Sequence, residues 1–279
     1  MSRRISEKEI CKFVAYLKEE ERSAATVEKY RREVVRFSAW LENREVTKEA
    51  AVAYKSRLSG SRTAAGVNGA VSALNCFFSF MGWPECKLKA AKTQRRIFRE
   101  EAKELTAAEY RRLLAAAKGK QNQRLLLVME AICSTGIRVS ELRFFTVEAA
   151  RCGRVEFANK GKTRTVFLPN KLQKLLLKYA KERGILAGPV FVTRNGNPLD
   201  RSNIWKDMKA LCKAANVAES KVFPHNLRHL FARTYYQLEK DIVRLADILG
   251  HSSVNTTRIY TMESGETHRR QLERMHLLL

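Results

Sequence analysis

The sequence predicts a mainly α-helical protein of two domains with one small β-hairpin. Three observations carry this expectation. Apolar residues recur at helical spacing through most of the chain and switch to strict alternation only around residues 154–168. Gly82-Trp83-Pro84 breaks the helical pattern, and residues 87–99 are basic and short of large apolar side chains. At 279 residues, 45% of them hydrophobic, the chain is long enough for two cores.

In order, Ser6 and Glu9 form a capping box ahead of a helix with Ile10, Phe13, Val14 and Leu17 on one face. Thr26 is read as opening a second helix, which carries Val27, Tyr30, Val34, Phe37 and Leu41. Thr47 can cap a third through Tyr54 and Leu58, and a fourth covers residues 65–81 with Val67, Val71, Leu74, Phe77, Phe78 and Met81 inward. Four such helices make a small bundle over residues 1–83, with a linker at 84–103. Nine cations and one acid fall between Lys55 and Arg99. Such a run is either a solvated face or a backbone contact for DNA; Lys55, Arg57, Arg62, Lys87, Lys89, Lys92, Arg95 and Arg96 are the candidates for the second reading.

The second domain, residues 104–279, opens with another capping box, Thr106 and Glu109. Residues 125–132 form an almost wholly apolar, buried helix that runs into Ser134-Thr135-Gly136-Ile137-Arg138-Val139-Ser140-Glu141-Leu142. There Gly136 can stop one helix and Arg138 or Ser140 can start the next, leaving Arg138 on the turn. Val155, Phe157, Val166 and Leu168 alternate as a hairpin does, around a turn holding Lys160 and Lys162. An amphipathic helix at 172–179, a short buried strand at 189–192 and a helix capped by Asp200 follow. Lys206, Lys209 and Lys213 give that last helix a basic side, either solvated or set against DNA. Pro224 opens a further helix, and Gly250 caps the one before His251. At the end, residues 266–279 place Leu272, Met275 and Leu279 at helical spacing, an apolar stripe that needs a partner.

Lys and Arg number 53 against 29 acids, a formal charge of +24, so a polyanion is the expected partner and nucleic acid the first choice. No apolar run is long enough for a membrane span and no secretory signal is present, which points to the cytoplasm. The six cysteines have no paired spacing and are read as reduced thiols, not metal ligands. No phosphate-binding loop motif occurs.

The chemistry concentrates in residues 224–261. His225 and Arg228 share a helix face, His251 follows a helix end, and Tyr260 follows Thr256-Thr257. A Tyr hydroxyl has a pKa of about 10 and is a poor nucleophile unless cations favour the phenolate. Arg forks match phosphate oxygens. Taken singly these residues read as half-buried histidines and a core aromatic; together they suit attack on a phosphodiester.

The strings His225-Asn226-Leu227-Arg228, Leu249-Gly250-His251-Ser252-Ser253 and Thr256-Thr257-Arg258-Ile259-Tyr260-Thr261 resemble the signature of the tyrosine recombinases, the phage integrase family. Upstream, residues 135–142 resemble that family's motif for its first catalytic Arg, here Arg138, with Glu141 as a supporting acid. The resemblance implies an N-terminal helical core-binding bundle and a C-terminal mixed α+β catalytic domain. It also implies site-specific strand exchange without metal, nucleotide or other cofactor. In it Tyr260 attacks a scissile phosphate to form a 3′-phosphotyrosine link, Arg138 and Arg228 bind the nonbridging oxygens, and a hairpin lysine protonates the leaving oxygen. Lys160 matches that lysine better, with Lys162 as its rival and otherwise a DNA contact. His225 and His251 assist by proton transfer or hydrogen bonding.

The implied partner is double-stranded DNA carrying short inverted sites. The implied assembly is a homotetramer on two such sites, alone or with a partner recombinase or accessory protein, with residues 266–279 docking onto a neighbouring protomer. A non-catalytic DNA-binding protein would account for the charge but not for six catalytic residue types in family order. A type IB topoisomerase would share the chemistry but fits a chain this small poorly. Whether the natural reaction is integration, excision, inversion or dimer resolution is not written in the sequence.

Overall fold

Side-chain caps start most of the helices. The computed structural model describes residues 3–92, 101–159, 162–193, 195–262 and 265–275, and the chain divides into two units, Met1–Arg95 and Arg96–Leu279. In the first unit α1 (Glu7–Glu19) starts at the Ser6–Glu9 capping box. Helix α2 (Ala24–Leu41) starts earlier than the sequence suggested. Its cap is Ser23, whose hydroxyl accepts from the Thr26 N–H at 3.3 Å, so Thr26 sits inside the first turn. Thr47 caps α3 (Lys48–Ser61) and Thr63 caps α4 (Ala64–Phe80). Phe13, Leu17, Val34, Phe37, Phe77 and Phe78 are fully enclosed between these helices. Phe13 meets Phe77 edge-to-face at 5.2 Å.

Residues 87–91 lie on this unit as an extended strap. Asn75 of α4 donates to the Leu88 carbonyl at 2.8 Å and accepts the Leu88 N–H at 2.7 Å. Asn68, two turns earlier, does the same for Ala91 at 3.0 and 2.7 Å. Lys48 and Lys55 of α3, also seven apart, donate to the carbonyls of Lys87 and Lys89. The strap backbone is therefore satisfied by side chains where a sheet would use a second strand.

The second unit contains α5 (Ala107–Gly119), α6 (Gln123–Thr135), a 3₁₀ turn over Val139–Phe144 with Arg138 at its cap, and α7 (Val147–Cys152). Strands β1 (Arg154–Asn159) and β2 (Lys162–Phe167) pair antiparallel, with Val155 opposite Val166. Then come α8 (Asn170–Glu182), α9 (Arg201–Lys209), α10 (Cys212–Ala215), α11 (Pro224–Glu239), α12 (Ile242–Leu249), α13 (Val254–Thr257) and α14 (Gly265–Glu273). Helix α6 is the core element, with Leu127, Val128, Met129, Ala131 and Ile132 almost wholly buried, and α11 packs along it.

The strand expected at 189–192 does not form. Thr146–Pro189 and Val192–Pro198 are isolated bridges, and a proline in each removes the N–H that would extend a ladder. Helices α7 and α10, six and four residues long, were too short to register as periodicity. Helix α14 has no buried residue; its Leu272 and, just beyond its end, Met275 are 54% and 55% exposed, and Leu279 lies outside the described residues. No helix among the described residues is long and apolar enough to cross a membrane.

Candidate active site

The C-terminal end of α12 organises the site. Gly250 caps this helix in the left-handed conformation, φ +64°, which turns His251 back toward α11. The Leu249 carbonyl, left without a helical partner, accepts from Arg228 Nη2 and from Arg164 Nη1, each at 2.8 Å. Arg138 Nη2 reaches the Gly250 carbonyl at 3.5 Å. Three guanidinium groups thus gather where helix carbonyls carry partial negative charge.

Arg228 is only 2% exposed. It also donates to the Gly136 carbonyl at 2.5 Å and approaches His251 Nε2 at 3.1 Å, so one side chain ties the ends of α6 and α12 to the following loop. Burial, followed by the charge of Arg138, lowers its pKa to about 10, which leaves it cationic at neutral pH. Gly136 has to be glycine: its φ is +67°, and a Cβ there would lie 2.3 Å from the Phe231 ring.

Glu141 accepts from the Arg138 backbone N–H at 2.8 Å and from its guanidinium at 3.1 Å. Both Glu141 oxygens also meet Arg164, each at 3.4 Å. One carboxylate therefore holds two arginines. Arg164 was missed in the sequence, although a signal was there. Residues 164 and 166 of β2, and Leu168 just after it, share the inward parity, so an Arg at that parity needs an acid partner in the core. Burial lowers the Arg164 pKa against the pull of Glu141.

His251 can be assigned a tautomer. A guanidinium only donates, so Nε2 facing Arg228 accepts, and Nδ1 carries the hydrogen and donates to Thr257 Oγ1 at 2.9 Å. Burial and then the charges of Arg228, Arg138 and Arg164 push its pKa down to about 4, consistent with a neutral ring. His225 is exposed at its outer edge, and no hydrogen bond among the described residues engages it. Lost solvation on its inner side, then Arg228, Arg201 and Arg138, hold its pKa below the ordinary range.

Tyr260 is 5% exposed and packs with Ala232, Leu245 and Leu249. Its ring lies 6.1 Å from that of His251, nearly parallel, and 4.9 Å from that of His229, at 88°. The structure thus brings Arg138, Glu141, His225, Arg228, His251 and Tyr260 together, and adds Arg164 and His229. Lys160 lies outside the described residues, and Lys162 is described only as the first residue of β2.

The expected DNA contacts fall differently. Arg57, Lys87, Lys89 and Lys92 are exposed, and Lys55 is bound to the strap. Arg62 pairs at 2.8 Å with Glu33, a buried acid that also holds Arg36. Arg95 and Arg96 lie outside the described residues. Among the described residues no group of three or more His, Cys, Asp or Glu side chains is placed to hold a metal.

Residues 103–266 match the phage integrase family, and residues 10–84 match the SAM-like N-terminal domain of phage integrases. A tyrosine recombinase XerA of Pyrococcus furiosus is 30% identical over 222 residues, which cover 76% of this chain and 74% of the relative. Two solved structures share the fold. The XerH site-specific recombinase bound to its difH substrate superposes with a TM-score of 0.70 at 19% identity, covering 96% of this chain and 89% of that one. A lambda integrase tetramer bound to a Holliday junction gives 0.72 at 19% identity, covering 91% and 76%.

Proposed function

Because the chain belongs to the phage integrase family of tyrosine recombinases, which cut and rejoin DNA at specific sites, we propose that Tyr260 is its nucleophile. We propose further that Arg138, Lys160, His225, Arg228 and His251 act on the phosphate that Tyr260 attacks. The observation that carries this is the convergence of Arg138, Arg164 and Arg228 on the α12 terminus beside the Tyr260 ring.

The Tyr260 oxygen bonds to phosphorus as the bond to the 5′ oxygen breaks, giving a 3′-phosphotyrosine and a 5′ hydroxyl. Arg138, the most exposed of the three arginines, and Arg228 meet the charge that grows on the nonbridging oxygens. Arg228 is held in place beforehand by two carbonyls and so needs little reorganisation. Both nitrogens of His251 are engaged, which suits a hydrogen-bonding role. His225, neutral and open on one side, suits taking the Tyr260 proton. Lys160, or Lys162 in its place, gives a proton to the leaving oxygen.

Residues 1–83 are proposed as the core-binding domain and 104–279 as the catalytic domain, with Arg57, Lys87, Lys89 and Lys92 toward the phosphate backbone; the division of the chain after Arg95 falls within the linker at 84–103. The substrate proposed is double-stranded DNA with short inverted sites, acted on in the cytoplasm by four protomers on two duplexes. The tetrameric fold relative on a Holliday junction supports that assembly. The exposed Leu272 and Met275 of the tail support docking of residues 266–279 on a neighbour.

A nicked suicide duplex, which traps the covalent intermediate, tests the reading. The wild-type chain should become attached to it, and Tyr260→Phe should bind it with unchanged affinity and form no adduct. An adduct in the Phe variant would remove Tyr260 from its role, and none in the wild type would remove the reading.

A further inference from the structure

Four aromatic rings run in series through the site. From His225 to His229, Tyr260 and His251 the successive centroids are 4.4, 4.9 and 6.1 Å apart. Three of these rings already have a part in the proposed reaction; His229 has none. It sits one turn after His225 on α11, on the same face, and meets both neighbours edge-to-face, at 64° and 88°.

Its Nε2 is enclosed by protein and has no hydrogen-bond partner among the described residues. A buried polar atom left without a partner is destabilising, and its presence beside a reactive group calls for an explanation. The ring is packed between those of His225 and Tyr260. Burial and the neighbouring His225 and Arg228 lower its pKa to about 4, so it packs as a neutral aromatic at physiological pH.

We propose that His229 is a positioning residue for the nucleophile, its ring being the wall that sets where Tyr260 stands relative to His225. The proposal rests on Tyr260 being the nucleophile. A misplacement of about 1 Å at a reacting group can cost on the order of a hundredfold in rate. Without the wall Tyr260 gains room on the side that His229 now fills. A wall of this kind acts through ring shape, so phenylalanine should replace it. Alanine should not.

The test uses the full chain with His229→Ala and His229→Phe, and reads single-turnover cleavage of the suicide duplex at saturating DNA, the half-saturating DNA concentration, and thermal melting. His229→Ala should slow adduct formation by at least about tenfold at saturation, with the half-saturating concentration moved by less than about twofold. His229→Phe should restore the rate to within about threefold and melt above wild type, because the orphaned nitrogen is gone. A normal rate in His229→Ala overturns the proposal. So does His229→Phe as slow as the Ala variant, which would make the nitrogen rather than the wall essential. So does a loss of melting temperature and affinity with the saturated rate unchanged.

Should the Ala chain not fold, His229→Leu, which keeps bulk without a ring plane, is read by the same criteria. A catalysis-independent readout is the fluorine resonance of 3-fluorotyrosine at Tyr260, assigned by its loss in Tyr260→Phe. It should shift in His229→Ala and return toward wild type in His229→Phe; an unmoved line in His229→Ala overturns the proposal. If the wild type forms no adduct, the nucleophile reading fails while the fluorine line still decides the ring contact.

Discussion

The Leu249 carbonyl oxygen receives two guanidinium groups, and it is one of three acceptors that Arg228 meets at once. A lysine could reach Leu249, Gly136 or the vicinity of His251, but it lacks the planar fork that serves all three together. Arg228→Lys should slow cleavage by at least about tenfold, roughly 1.4 kcal/mol of transition-state stabilisation, and should also lower the melting temperature. A near-normal single-turnover rate would count against its place in the reaction. The histidines give a pH dependence with a definite sign. His229 and His251 have folded pKa values of about 4, below the ordinary 6.5 of the unfolded chain. The unfolded state therefore binds more protons between those values. The stability this contributes is full above about pH 6.5 and is lost as pH falls toward 4. Melting temperature should drop over that window, and His229→Phe should flatten the drop; an equal slope in the variant would refute the assignment. Much of this detail was legible beforehand: Arg138, Arg228, His251 and Tyr260 stand in contiguous strings. Arg164 was overlooked although it shares the parity of Val166 and Leu168, because the acid that holds it, Glu141, lies 23 residues away in sequence. His229 is marked by nothing in the sequence, since its contact with Tyr260 joins residues 31 positions apart.

Among the elements, the caps at Ser6, Thr47, Thr106 and Asp200 could be read directly, since each depends on residues three apart or closer. Contacts between distant segments could not. Asn68 and Asn75 are seven apart on α4, and nothing local in the sequence links them to Leu88 and Ala91. Those bonds predict that Asn68→Ala with Asn75→Ala frees the strap at a cost of about 1 kcal/mol for each net hydrogen bond lost. Trypsin should then cut at Lys87, Lys89 or Lys92 faster than in wild type while α4 remains folded. Unchanged cleavage there would mean that the lysine contacts from α3 suffice. Gly250 offers a second test at this scale. A Cβ there meets Arg164 Cδ at 2.6 Å, and the φ of +64° disfavours a side chain by about 1–2 kcal/mol. Gly250→Ala should therefore disturb the carbonyl on which the arginines converge and reduce cleavage more than DNA binding. Equal losses in both would place the effect elsewhere.

For the whole molecule, a charge of +24 is a statement about the partner. The salt dependence of DNA binding can sort surface cations from structural ones. Neutralising Arg57, Lys87 and Lys89 should lower the log–log slope by about two to three units. Arg62, held by Glu33, should instead affect stability; a slope that stays fixed in the triple variant would return the run to a solvated face. Removing residues 266–279 should leave binding to one half-site intact and abolish cooperative filling of the second, because α14 buries nothing of its own. Retained cooperativity would deny the tail a docking role. The most direct measurement of the central claim is to digest the trapped protein–DNA adduct and locate the modified residue by mass spectrometry. The peptide carrying the 3′-phosphonucleotide should be the one that contains Tyr260, with the added mass on its phenolic oxygen. The same mass on any other residue would contradict the account.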